Sequence, residues 1–185
     1  MSFEISGNLK EYESYDNFCA TLLQVMNLFV AVFGLETMLK IDLYIDNALY
    51  DKQTKENSMS GYTPITTLIC SKYIVIKLNI SDFSQTSQII YQFAHELCHY
   101  VFYSIYGIDK PKGDNNEEAI CSAMSLCTIK SLYPQNLEHW KEHVRSLSNI
   151  YGLGYPIAEE LNYDIYALSE RILTYNKEHN LAEAK

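Results

Sequence analysis

The chain has 185 residues, 48% apolar and 20% charged, so it can bury a core and is not a disordered tail. Lys and Arg total 14 against 23 Asp and Glu, giving a formal charge of −9 and a pI near 5.0. That balance excludes the basic footprint of a nucleic-acid binder and argues against docking on an anionic membrane.

The first 15 residues are polar and acidic, without the basic start and apolar run of a signal peptide. A helix is expected from about Asp16, a good N-cap, to Gly34. Phe18, Leu22, Val25, Phe29 and Val32 recur at spacings of three and four and form its buried stripe. The longest unbroken apolar run there, Leu28 to Leu35, is too short to span a bilayer. A strand follows at Leu39–Asp46, where Ile41, Leu43 and Ile45 alternate with Lys40, Asp42 and Tyr44. Asp51–Gly61 reads as a polar loop. Further strands are expected at Ile65–Cys70 and at Tyr73–Ile80, the latter with Ile74, Ile76, Leu78 and Ile80 on one face.

After residue 80 the pattern is helical. Ser84 or Ser87 can cap a long helix that runs to Tyr106 and stops at Gly107. Ile108–Asn116 is a connecting loop. Further helices are expected over Glu117–Leu132, ended by Pro134, over Asn136–Tyr151, broken by Gly152-Leu153-Gly154, and over Ile157–Asn180. The five cysteines, at 19, 70, 98, 121 and 127, form no CxxC pair and read as free, buried thiols in a reducing compartment. The sequence therefore describes a cytoplasmic α+β protein. Its single domain, 1–185, divides into a helix-and-sheet part over 1–80, metal-site helices over 81–133 and C-terminal helices over 134–185.

The chemistry lies in His95-Glu96-Leu97-Cys98-His99, an HExxH pattern. Residues i and i+4 share a helix face with Cβ atoms about 5–6 Å apart, so two imidazoles can hold one ion. Glu96, one position on, can reach a water on that ion and take its proton. Bound zinc brings the pKa of such a water to about 7. Ile90, Phe93, Ala94, Leu97 and Val101 form the opposite, buried stripe of this helix. A third ligand is required, and 18 residues separate His99 from Glu118 at the start of the next helix, enough for a loop and a return. Glu117 is the alternative; adjacent helical residues point about 100° apart. Asp114 or Asn116 would then only cap the helix.

HELCH followed by a glutamate on the next helix resembles the gluzincin group of zinc metallopeptidases. Glu118-Ala119-Ile120-Cys121-Ser122 is similar to the glutamate-helix of thermolysin-like enzymes, with Ser122 where an Asp usually stands behind the ligand. The spacing of Glu118, Ala119, Ala123 and Leu126 also resembles the ImmA/IrrE family of small cytoplasmic peptidases. Ile120, Ser122 and Ile129 depart from that family's Asn, Phe and terminal Pro. The resemblance covers roughly residues 73–130. It implies a zincin-like fold, Zn2+ held by His95, His99 and Glu118, and Glu96 as general base. It also implies that the strand Tyr73–Ile80 flanks the cleft and pairs with an extended substrate peptide.

A competing motif, His139-Trp140-Lys141-Glu142-His143, matches the inverted HxxEH pattern. It has polar neighbours, no apolar shell, and only 42 residues after it to supply a distant ligand. His143 remains a candidate oxyanion donor, as do Tyr103 and Tyr155; Tyr106, Tyr151 and Tyr163 are weaker. The chain has 16 Tyr. Tyr91, Tyr100, Tyr103 and Tyr106 on the motif helix, and Tyr151, Tyr155, Tyr163 and Tyr166 near the Gly break, are a candidate cleft lining. The expected function is hydrolysis of a peptide bond in an intracellular protein by metal-activated water, with neither nucleic acid nor membrane as partner. The alternative is a zincin-like binding or regulatory module without catalysis.

Overall fold

The computed structural model describes residues 3–48, 64–107 and 115–182. The expected loop at Asp51–Gly61, most of the one at Ile108–Asn116 and the proposed cap Asp114 lie outside the described residues. The protein is α+β, with seven α-helices and a four-stranded mixed sheet among the described residues. It forms two compact units, residues 1–111 and 112–185.

The first unit opens with β1 (Glu4–Ile5) and a short 3-10 turn, then α1 (Tyr15–Phe33) and α2 (Leu35–Met38). Asp16 lies in the first turn of α1 and is not its cap; Ser14, at φ 61°, precedes the helix without a side-chain bond. Gly34, at φ 83°, ends α1 as expected, in backbone geometry that glycine adopts without strain. Phe18, Leu22, Val25 and Phe29 are fully buried, and Val32 is half-buried. By length and composition α1 could cross a membrane. Its apolar residues nevertheless enter the protein core, packing against the long helix described below.

The strands are β2 (Asp42–Asn47), β3 (Ile65–Ile69) and β4 (Tyr73–Leu78), in the order β1-β2-β4-β3. β1 and β2 are parallel, β2 and β4 parallel, and β3 and β4 antiparallel. Strand β2 begins three residues later than expected because Leu35–Met38 is helical and Leu39 is exposed. Strand β4 stops at Leu78, before Ile80, because side chains take over its backbone groups. Gln92 bonds both the N–H and the carbonyl of Asn79, and Asn47 bonds both those of Ile80. The β3–β4 hairpin turns at Cys70 and Ser71, both at φ 52°, as a type I′ turn requires. Cys70 is therefore exposed and Cys19 half-buried, which corrects the expectation of five buried thiols; Cys98, Cys121 and Cys127 are buried.

A second correction concerns the substrate strand. β4, expected to offer its edge to a peptide, lies inside the sheet with β2 on one side and β3 on the other. Among the described residues the edge beside it is β3. Helix α3 (Thr86–Tyr106) packs on β3, β4 and α1. Neither Ser84 nor Ser87 caps it; Gln85 precedes it without a side-chain bond, and Gly107 at φ 92° ends it.

The second unit is helical: α4 (Asn115–Leu132), α5 (Leu137–Ser146), α6 (Gly154–Glu160) and α7 (Ile165–Ala182). From Ala119 to Ile129 every residue of α4 is buried, so it is the central helix of this unit. Helix α5 is shorter than expected. The chain extends at Leu147 and re-enters a 3-10 turn at Ile150–Leu153, whose first turn is capped by Asn149 Oδ1 accepting from Tyr151 N–H. The single last helix expected from Ile157 is two helices. Asn162 and Tyr163 take positive φ between them, and Asp164 Oδ1 accepts from the backbone N–H groups of Tyr166 and Ala167 to start α7.

Candidate functional site

The HExxH residues occupy the middle of α3. Ile90, Phe93, Ala94, Leu97 and Val101 are completely buried on that helix, each burial stabilising by about 1.5–3 kcal/mol for the larger side chains. This stripe fixes the rotation of α3 and hence the direction of its polar face. His95 is 9% exposed, Glu96 4% and His99 half-buried. The two rings stand edge to face, with centroids 5.2 Å apart at 69°. One ligand nitrogen of each lies within 4.8 Å of the other, within reach of a single ion. Imidazole donors suit zinc and neighbouring transition ions, and the pair is already held by the helix.

Glu96 is anchored by a residue that the sequence reading did not single out. Thr66, in β3, directly opposes the fully buried Ile76 of β4, so its side chain points to the α3 side of the sheet. Its hydroxyl lies 2.8 Å from Glu96 Oε2 and 2.9 Å from the Glu96 carbonyl oxygen. A buried carboxylate thereby receives a hydrogen-bond donor, which offsets part of its desolvation cost.

No known protein family, curated protein or solved structure matches this chain.

Among the candidate tyrosines of α3, Tyr103 follows His99 by one turn and shares the face of His95 and His99. It is half-buried. Tyr100 is excluded as a cleft donor. It is fully buried, its hydroxyl donates to the Ile41 carbonyl at 2.8 Å and accepts from the Ile41 N–H at 3.3 Å, and burial pushes its pKa up.

In the second unit, Glu117 and Glu118 stand in the first turn of α4. Glu117 is 5% exposed and Glu118 half-buried. Ser122 is fully buried, and its hydroxyl makes no hydrogen bond among the described residues. Its small size has another use: a Cβ on Gly154 would lie 2.5 Å from Ser122 Cβ and 2.8 Å from the Ala119 carbonyl oxygen. Gly154 thus lets α6 approach the backbone of α4 closely.

His139, Glu142 and His143 are exposed on α5, as their polar neighbours foretold. Trp140, 8% exposed, lies between the two imidazoles with centroids 5.4 and 5.3 Å away. Desolvation, and then the nearby His139, lower the pKa of His143. The Tyr155 hydroxyl is committed elsewhere: it accepts from Arg145 Nη2 and donates to Glu159, while the Arg145 guanidinium sits 4.4 Å from its ring centroid. Tyr163 is 8% exposed, with the ammonium groups of Lys141 and Lys130 over its ring at 5.3 and 5.9 Å. Of the three named oxyanion candidates, His143 and Tyr155 belong to surface networks of α5 and α6, and Tyr103 alone shares the motif's helix face.

Proposed function

We propose that this chain is a gluzincin-type zinc peptidase, with His95, His99 and Glu118 as metal ligands and Glu96 as general base. The observation that carries the proposal is the His95–Glu96–His99 constellation. Two imidazoles sit one turn apart on a helix rotated into register by its buried stripe, beside a carboxylate that is itself buried and hydrogen-bonded. Zinc, when bound, would lower the pKa of a coordinated water to about 7 and polarise the scissile carbonyl.

The remaining roles fall to the chain. His95 and His99 each offer a neutral ring nitrogen, and Glu118 a carboxylate oxygen. Glu96 accepts the proton of the attacking water and returns it to the departing amine. β3, the edge strand beside β4 among the described residues, lies next to Glu96 and suits an extended peptide that adds as a strand, so substrate backbone would pair there rather than with β4. Tyr103 is the preferred hydroxyl donor to the developing oxyanion. A formal charge of −9 suits a protein or peptide substrate, and the burial of Cys98, Cys121 and Cys127 suits a reducing, cytoplasmic setting.

One observation favours the second reading, a zincin-like binding module. Ser122 replaces the Asp expected behind the third ligand and bonds nothing among the described residues. Glu96→Gln separates the two. In the peptidase, the variant keeps its metal and loses cleavage of a random-sequence peptide pool by at least about 100-fold. In the binding module, neither the unmutated protein nor the variant cleaves the pool.

A further inference from the structure

We propose that Thr66 is a positioning residue for Glu96, holding one carboxylate oxygen in place so that the other is presented to water. This inference rests on the peptidase reading for its catalytic consequence, but the contact itself does not depend on a metal. Glu96 is 4% exposed, and a buried glutamate side chain with several rotatable bonds gains direction only from its partners. Thr66 Oγ1 lies 2.8 Å from Oε2. The same hydroxyl lies 2.9 Å from the Glu96 main-chain carbonyl, so it is centred on this one residue of α3. A hydroxyl has a single proton, and an ionised carboxylate is the stronger acceptor, so the proton goes to Oε2. The carbonyl is already the acceptor of the helix ladder.

The position of Thr66 adds a second consequence. β3 is the strand proposed to receive substrate, at the sheet edge among the described residues, and Thr66 belongs to that strand while its side chain faces α3. Strand and base are thus tied together: a peptide that adds to β3 is registered against the same element that orients the proton acceptor. Orientation of this kind is worth a large factor, since a misplacement of about 1 Å in a reacting group can cost about 100-fold.

The test uses the full chain in two readouts. In the first, metal-free protein carries glutamate labelled with 13C at the carboxyl carbon, and the Glu96 resonance is assigned by its disappearance in Glu96→Gln. Thr66→Val should move that resonance and Thr66→Ser should leave it close to its original position; an unmoved resonance in Thr66→Val overturns the proposal. In the second, zinc-loaded protein is assayed on one peptide from the random pool. Thr66→Val should lower kcat by about 10- to 100-fold with KM within about twofold and zinc content unchanged. Thr66→Ser should restore kcat, and in the Glu96→Gln background Thr66→Val should change the residual rate by less than about twofold. Equal kcat in Thr66→Val, or an equal loss in the Glu96→Gln background, would overturn it. If the unmutated protein cleaves nothing while the carboxyl resonance responds as expected, the peptidase reading fails and the positioning contact stands.

Discussion

At the scale of single residues, the site is a set of polar groups held by neighbours that leave them little freedom. Tyr100 illustrates the scaffold: it closes both backbone groups of Ile41 with one hydroxyl. Tyr100→Phe should destabilise the protein by about 1–2 kcal/mol, seen as a lower urea midpoint, because it strands a buried carbonyl and N–H. No change would mean those groups find other partners. His143 carries a pH signature. Its folded-state pKa is depressed, so the unfolded chain binds that proton first as pH falls below about 6.5. The associated stability is complete above that value and lost below it. His139→Asn removes the second cause of the depression and should make the loss of urea midpoint between about pH 8 and about pH 5 shallower. An unaltered profile would contradict the coupling. His95, Glu96 and His99 were legible in the sequence because their relations lie within five consecutive residues of one helix. The Thr66–Glu96 bond was not, because it depends on how β3 registers against β4 and how α3 lies across both.

At the scale of elements, burial stripes were the reliable signal. The stripe of α1, except the half-buried Val32, and that of α3 are buried as their spacing required, and the glycine stops at 34 and 107 hold. Starts were less legible. Asp16, Ser84 and Ser87 have the chemistry of N-caps, yet none makes the cap bond, while Asn149 and Asp164 do so unforeseen. Such residues also serve in first turns and loops, and only backbone geometry separates these uses. The division of the last helix at Asn162 and Tyr163 follows the same logic. Asp164→Ala should cost about 1 kcal/mol and lower the thermal midpoint, whereas Asp164→Asn should retain most of it. Equal losses in both would show that the cap bond is not the cause. Sheet order was the other illegible feature. Period-two alternation marks β4 as half-buried but says nothing about which strands flank it, and the interior place of β4 moves the proposed peptide-binding edge to β3.

At the scale of the whole molecule, composition set the boundaries and the motif supplied the chemistry. An acidic chain with an α+β architecture carries a two-histidine helix, with its carboxylate candidates at the start of α4. The proposed metal, if it binds the folded chain more tightly than the unfolded one, adds to stability by mass action, so chelation should lower the thermal midpoint. The metal content of the purified protein, measured beside His95→Ala, His99→Ala, Glu118→Ala and His139→Ala, tests the proposed zinc site. About one zinc per chain is expected. The ion should be lost or much depleted in the first three variants and retained in the fourth. Protein that binds no zinc, or zinc that survives His95→Ala and disappears in His139→Ala, would contradict the proposed site.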